Sequence, residues 1–459
     1  MNQAFDDLPF APEFYASVDS SNEWIAPRRV RRYQREIIEK GTFSIISPST
    51  GQPVAAATSA WMLPGQFIAY RFEFGFPAWI VVGEIKDGYP LQSLLRAEVE
   101  SAVGLFQFSG SRIGSAGLAN LSFAEIEKKL PPLDREHDVN PTIVIGHPNF
   151  AHYLWNELSA ILEIIQSIPD ETLRRASVLS IYEPLGPLAE LIDRRDGPLS
   201  VQSISPAEVE TSRGGGLLTR VGSAIVTNAA RQLAIQYAIR VSDNGDVRSI
   251  STTPFEKMFW VSVRNEVRTC VNQVEFLSEL VVRLLSEFPS CGVVFDGFSF
   301  PEDFDFASRY SGCNKIFGRR SSESTAIISE ICRAVVDSGL QNAAERMTTL
   351  NGCKLHQSIM IGKYVDYYIC HAGTTQHKIG WLHNKPGLVH SSSASITRAS
   401  ANWFSAQVED GLPVDCISPL FVEDISDLTV FPARNWNYRI LDVKAASQAV
   451  IDCIRQRLG

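Results

Sequence analysis

Residues 371–387 read HAGTTQHKIGWLHNKPG and follow the apolar run YVDYYIC at 364–370. The pattern is a strand, a turn of small residues, and a helix that opens on hydroxyls and cations. A helix N-terminus carries unpaired N–H groups and the positive end of its dipole, which suits a phosphate. Ala372 and Gly373 let a ligand approach the backbone. Thr374 and Thr375 can cap the helix and donate hydrogen bonds. His371, at the strand end, and His377 could contact phosphate or sugar. Lys378 adds a cation one turn into the helix.

Two further constellations have the same form. GHPNFAHYLWNELSAIL (146–162) places His147 at a strand-to-helix turn, with Pro148 suited to the first helical position. Phe150, Leu154, Leu158, Ile161 and Ile165 form an apolar stripe, while Asn149, His152 and Asn156 fall on another face. A histidine there could act as a general base, since its pKa lies near neutrality. In WVSVRNEVRTCVNQVEF (260–276), Arg264 and Arg268 follow a strand and precede a helix. Guanidinium forks suit phosphate oxygens; Asn265, Asn272 and Gln273 could read sugar hydroxyls or a base. Asp303-Phe304-Asp305 is a D-x-D whose hard oxygens could hold Mg²⁺ or Mn²⁺ beside a diphosphate. Lys354, His356 and Gln357 line the same cleft or belong to a loop. No Ser-His-Asp order, HExxH or zinc spacing occurs. SRGGGLLTR (212–220) lacks GxGxxG spacing and reads as a flexible loop.

The elements that must position these residues alternate. Residues 1–60 read as an irregular leader with one helix at 27–41, PRRVRRYQREIIEKG, whose basic half could touch an anionic membrane surface. Residues 61–130 mix aromatic strand-like runs with short turns. From 141, short apolar strands (PTIVIG, RASVLSIYE, SAIVTN) alternate with helices, which implies a parallel sheet covered on both faces. The polar stretch 241–254 reads as a linker. The rhythm then restarts with KMFWVSVR, CGVVFDG, YVDYYICHAG and GLVHSS as strands, and DVKAASQAVIDCIRQRLG as a closing helix. Two α/β domains with a ligand cleft between them follow. The length of 459 residues suits two or three domains. A formal charge of 42 − 51 = −9 argues against broad nucleic-acid binding. No apolar run approaches the length of a membrane span. Eight cysteines, none in a CxxC pair, read as buried free thiols in a reducing compartment. The expectation is a cytoplasmic protein.

The HPNFAHYLWNELSAIL segment together with YYICHAGTTQHKIGWLHNKPG resembles glycosyltransferase family 61. Asn149, His152, Tyr153 and Trp155 stand in its first motif; His371, Ala372, Gly373, Thr374, Thr375 and Gln376 stand in its second, with Pro386 and Gly387 after it. WVSVRNEVRTCVNQ is similar to the arginine-bearing strand that opens the donor domain. The likeness spans about residues 140–395. Gln376 stands where the family often has Asn, HKIGWLHN replaces a more apolar helix, and a customary Pro is missing from the first motif.

This resemblance implies a GT-B-like α/β fold: two Rossmann-like parallel-sheet domains facing a cleft, with an extra N-terminal segment. The implied boundaries are 1–130 for the extension and start of the acceptor domain, 131–245 for the acceptor-side domain, 255–435 for the nucleotide-sugar donor domain, and 436–459 for the C-terminal helix. It also implies an inverting transfer from a nucleotide-sugar donor to a glycan or glycoconjugate acceptor, with no required metal, serving surface polysaccharide biosynthesis at or near the inner face of a membrane. His152 first and His147 second would be the base. Asn149, Asn156, Arg264, Arg268, Asn272, His371, Gly373, Thr374, Thr375, Gln376, His377 and Lys378 would bind substrates. An epimerase or hydrolase of nucleotide sugars, or a non-catalytic glycan- or nucleotide-binding protein, are the alternatives.

Overall fold

The structure, a computed structural model, describes residues 10–26, 28–63, 66–83, 85–98, 102–107, 128, 140–192, 199–242, 255–265, 268–305, 313–397, 403–425 and 436–459; at 86, 96–98, 102–107 and 313–317 only the backbone is described. The acidic start of the chain and most of the expected linker, 243–254, lie outside the described residues. The chain divides into two compact units, Met1–Glu183 with Pro187–Ile225, and Pro184–Gly186 with Val226–Gly459.

The first unit holds two larger sheets and two short antiparallel pairs, Trp24–Ala26 with Val30–Arg31 and Ser44–Ile46 with Pro53–Ala55. Strands β1 (Thr58–Met62), β2 (Phe67–Glu73), β3 (Pro77–Val82), β4 (Leu91–Glu98) and β5 (Ala102–Gln107) form an antiparallel sheet in chain order. Side chains alternate across a strand. Ala60, Met62, Ala69, Trp79 and Val81 therefore cluster on one face, while Tyr70 and Phe72 meet Phe43 edge-on on the other. Both faces are buried, which accounts for the aromatic density of 61–98.

The unit's second sheet is parallel: β6 (Thr142–Ile145), β7 (Ser177–Ser180), β8 (Ser200–Ser203) and β9 (Leu218–Thr219), in the order β8-β7-β6-β9. β9 lies in the tract expected to be a loop, whereas SAIVTN forms no strand and contributes only an isolated bridge from Val226. β8 is a largely exposed edge strand, so it lacks the apolar run by which a buried strand is read.

The second unit holds an antiparallel pair, Val422–Asp424 with Tyr438–Ile440, and is built on a six-stranded, wholly parallel sheet. Its strands are β10 (Lys257–Ser262), β11 (Cys291–Asp296), β12 (Met347–Thr349), β13 (Tyr367–His371), β14 (Gly387–His390) and β15 (Asp415–Cys416), in the order β12-β11-β10-β13-β14-β15. Counted within the unit this is 3-2-1-4-5-6, the doubly wound dinucleotide-fold order. The helix Gln273–Glu287 buries Phe276, Leu277, Leu280, Val281 and Leu284. The helix Val443–Leu458 buries Ala446, Val450, Ile451 and Ile454 in the same core. The chain is thus an α/β protein with two parallel, Rossmann-like sheets and additional N-terminal β structure.

Three local expectations are corrected. The helix at 27–41 begins at Arg32, after a short strand, and ends on Gly41 in a left-handed conformation. Its basic run is neutralised locally, with Arg29, Arg32 and Arg35 at 3.0, 2.5 and 2.7 Å from Glu163, Glu23 and Glu39. The helix after β6 starts at Phe150, capped by the Asn149 side chain, and Pro148 precedes it. Residues 355–362 form a helix where a loop was one of the two readings. Among the described residues no helix is long and apolar enough to cross a membrane.

In both parallel sheets the strand order reverses beside the first strand, between β6 and β9 and between β10 and β13. Ligands of open α/β sheets bind outside the carboxyl ends of strands at such reversals. Each reversal here is followed by a glycine with φ near +120°, Gly146 and Gly373. A Cβ on Gly146 would lie 2.3 Å from the Tyr182 amide nitrogen and 2.8 Å from that of Ile181. Gly146→Ala is expected to destabilise the chain by about 1–3 kcal/mol, read as a lower melting temperature; an unchanged melting temperature would contradict this account of the turn.

Candidate functional site

At the reversal in the second unit, β10 and β13 are joined at their carboxyl ends. The Ser262 hydroxyl accepts from the His371 amide at 2.9 Å and lies 3.3 Å from His371 Nδ1. The chain leaves β10 into Arg264, whose backbone is held from both sides by one side chain. Gln273 accepts from the Arg264 N–H at 3.1 Å and donates to the Arg264 carbonyl at 2.7 Å. The Arg264 guanidinium donates to the Ala372 carbonyl at 3.3 Å. Its Nη1 and that of Arg268 lie 3.0 and 3.4 Å from where a Cβ would stand on Gly373. Gly373 has φ 117° and ψ −150°, a region essentially restricted to glycine. Two guanidinium groups thus converge over a bare turn, and Thr374 is the half-buried hydroxyl beside it. Two planar cations at this spacing suit an anion with several oxygens, such as a diphosphate.

The rest of the second motif faces inward. His371, Gln376, His377 and Lys378 are all buried. Thr375 Oγ1 donates back to the His371 carbonyl at 3.3 Å. His377 stacks on Trp381 with 3.5 Å between ring centroids, and its Nδ1 is 2.8 Å from the Gln376 amide oxygen. Residues 377–381 form a π-helical turn, a feature frequent at functional sites. Lys378 does not face the arginines; its ammonium donates to Asp296 Oδ1 and Oδ2 at 2.7 and 3.0 Å and to Ser299 Oγ at 2.9 Å. Asn272 is equally committed, exchanging bonds with the Ile440 backbone at 3.0 Å in each direction. Both have structural partners in place of the substrate contacts expected of them.

The reversal in the first unit carries the first motif. Its helix also contains a π-helical turn, Tyr153–Leu158. The wider turn rotates Asn156 and Glu157 into the interior, and both are fully buried. The imidazoles of His147 and His152 lie 4.8 Å apart, and Trp155 stacks on His152 at 5.8 Å. His152 Nδ1 is 3.1 Å from Asn156 Oδ1, and His147 Nδ1 accepts from the Asn149 N–H at 3.0 Å. Asn149 Oδ1 is itself used in capping, 2.9 Å from the Ala151 N–H. Beneath them, Glu157 accepts from the Gly146 N–H and the Tyr89 hydroxyl, both at 2.8 Å. Arg220, the residue after β9, donates to the Tyr89 hydroxyl at 2.7 Å and stands 3.8 Å from Glu157.

Gln273, Tyr89, Arg220, Glu157 and Asp296 are the contributors that sequence reasoning did not place in these roles. Asp296 has a visible signal, as an acid ending an apolar strand. Glu157 follows Asn156 in a mixed helical stretch, and nothing in the helical spacing points it to Gly146 or Tyr89. Tyr89 has no signal, because its partners lie 68 and 131 residues away. Among the described residues, no group of three or more His, Cys, Asp or Glu side chains could hold a metal ion.

Burial sets the protonation of the site. It is the largest cause holding His147 down to about 3, with His152 and Arg220 adding to it. Burial likewise lowers His152, against a raising hydrogen bond from Asn156. It holds His383 to about 4 and His390 to about 3. All are therefore neutral at pH 7. An unfolded imidazole takes its proton near pH 6.5, so below that value the unfolded state binds more protons than the folded one. Stability is thus expected to fall on acidification from pH 7 to 5, by up to about 1.4 kcal/mol per pH unit for each such histidine. Melting temperature against pH checks this, and His390→Gln should flatten the curve; a level curve in the native chain would contradict it. For the buried ion pair, Lys378→Met is expected to cost about 3–5 kcal/mol by stranding Asp296. Denaturant titration should show Lys378→Met with Asp296→Leu recovering part of that loss; no loss in the single variant would contradict the pairing.

No protein-family model matches the chain, and no curated protein matches it. Among solved structures, it is similar to Staphylococcus aureus MnaA solved with UDP, at 11% identity over 69% of this chain and 67% of that one, TM-score 0.26. It is similar to the UDP-GlcNAc 2-epimerase of Methanocaldococcus jannaschii, at 11% identity over 68% and 77%, TM-score 0.26. It is similar to the Escherichia coli heptosyltransferase WaaC with ADP, at 8% identity over 69% and 99%, TM-score 0.33. Likenesses of this degree carry no argument about activity.

Proposed function

We propose that this protein is a nucleotide-sugar glycosyltransferase, similar to glycosyltransferase family 61. It would move a sugar onto a hydroxyl of a glycan or glycoconjugate acceptor, with inversion, in the building of a surface polysaccharide. The observation that carries this reading is the convergence of Arg264 and Arg268 over Gly373 at the strand reversal of the second unit. The diphosphate of the donor would lie against these guanidinium groups, with the Thr374 hydroxyl beside it.

The reaction leaves a negatively charged nucleoside diphosphate, and charge that develops on the leaving oxygen is what a preformed cationic site stabilises. A half-buried histidine of the first motif would remove the acceptor hydroxyl proton. A base must be unprotonated to take that proton. The oxygen would bond to the anomeric carbon as the bond from that carbon to the phosphate oxygen breaks, its electron pair leaving with the diphosphate.

A melting-temperature screen with UDP, ADP, GDP, CMP and dTDP, with and without Mg²⁺, tests the donor site. One nucleotide should stabilise the chain by about 2.7 kcal/mol at a hundredfold excess over its Kd. The shift should vanish in Arg264→Ala and shrink in Thr374→Ala. No shift with any nucleotide, or a full shift in Arg264→Ala, would contradict the proposal.

A further inference from the structure

The two histidines of the first motif have different hydrogen-bond partners, and those partners decide which ring nitrogen carries the proton. The Asn156 amide is oriented by Ser223. Asn156 Nδ2 donates to the Ser223 carbonyl at 2.6 Å, and the Ser223 N–H donates to the Asn156 carbonyl at 2.8 Å. Ser223 is fixed in turn, its hydroxyl lying 3.0 and 2.8 Å from the carbonyls of Arg28 and Ile225 and accepting from the Ile225 N–H at 3.0 Å. With Nδ2 committed to a carbonyl, the atom that Asn156 turns to His152 is the acceptor Oδ1, at 3.1 Å from Nδ1. A neutral imidazole has one N–H and one lone pair. His152 Nδ1 must therefore carry the hydrogen, and its lone pair lies on Nε2. His147 is the reverse case: a backbone N–H donates to its Nδ1, so its hydrogen lies on Nε2.

We infer that His152 is the base, acting through Nε2, that His147 is a hydrogen-bond donor, and that Asn156 is a positioning residue that fixes this division by holding His152 in the Nδ1–H tautomer. This rests on the proposed transfer reaction for the base role and on the hydrogen bonds alone for the tautomers. In the step, the lone pair of His152 Nε2 takes the acceptor hydroxyl proton, giving an imidazolium that Asn156 Oδ1 continues to accept from. His147 cannot take that proton through Nε2, because the nitrogen already holds one; it can donate to an oxygen of the bound acceptor. Asn156 thus has no direct contact with substrate in this arrangement, although it lies in the motif as a polar residue of the binding face.

Nitrogen-15 NMR of histidine-labelled full-length protein at pH 7.5 reads the tautomers directly, with His152→Gln and His147→Gln used to assign the signals. The expected result is Nδ1–H for His152 and Nε2–H for His147. In Asn156→Ala, His152 should lose its Nδ1–H preference. With the donor selected by the melting screen, that variant should lose about ten- to a hundredfold in kcat at nearly constant KM. An Nε2–H His152 in the native chain overturns the inference. So does an unaltered His152 tautomer in folded Asn156→Ala. If Asn156→Ala does not fold, the native spectrum still decides the tautomers. Absence of transfer with any donor, alongside the expected tautomers, overturns the base role and the proposed reaction while leaving the tautomer assignment standing.

Discussion

Two guanidinium groups converge over residue 373, a bare turn whose backbone angles favour glycine. A Cβ there would lie 3.0 Å from Arg264 Nη1, and the backbone angles of the turn are open to glycine and to almost nothing else. Much of the second unit serves to keep that turn and those arginines in register. The parallel pairing of β10 with β13 brings the two strand ends together, Ser262 ties them, and Gln273 clamps the Arg264 backbone. The Lys378–Asp296 pair then fixes the following helix to the end of β11. The Lys378 ammonium is thereby committed to Asp296 and Ser299.

The first unit applies the same geometry to different chemistry. Its reversal also carries a glycine near φ +120° and a helix with a π-helical turn, yet the side chains gathered there are histidines, amides and a carboxylate. The π turn matters because it places consecutive residues, Asn156 and Glu157, both in the interior. One orients His152, and the other holds the Gly146 turn through its amide. Burial then keeps both imidazoles neutral.

Six of the ten parallel strands among the described residues were legible because buried strands are short continuous apolar runs, as in TIVI, CGVVFD and YYICH; β12 and β15, of three and two residues, have no such run. The turn at 372–375 and the arginines after β10 were legible because polar or small residues at the carboxyl end of such a run have a defined location. β9 was hidden inside a glycine-rich stretch, and β8 by its exposure. The roles of Lys378, Asn272 and Asn156 were not legible, because each is decided by a partner 67 or more residues away: Asp296, Ile440 and Ser223. Residue type and helical spacing gave those side chains a polar face, while the π turns and long-range partners turned them inward. The antiparallel sheet of 58–107 announced its aromatic strands but not that both its faces would be covered.

The central claim is that the bare turn at Gly373 holds the diphosphate of a nucleotide. A crystal structure of the chain with the nucleoside diphosphate that raises its melting temperature most would test it directly. Phosphate oxygens within hydrogen-bond distance of both Arg264 and Arg268, over Gly373, are the predicted result. A nucleotide bound elsewhere, with the two guanidinium groups still facing the turn as they do without it, would contradict it.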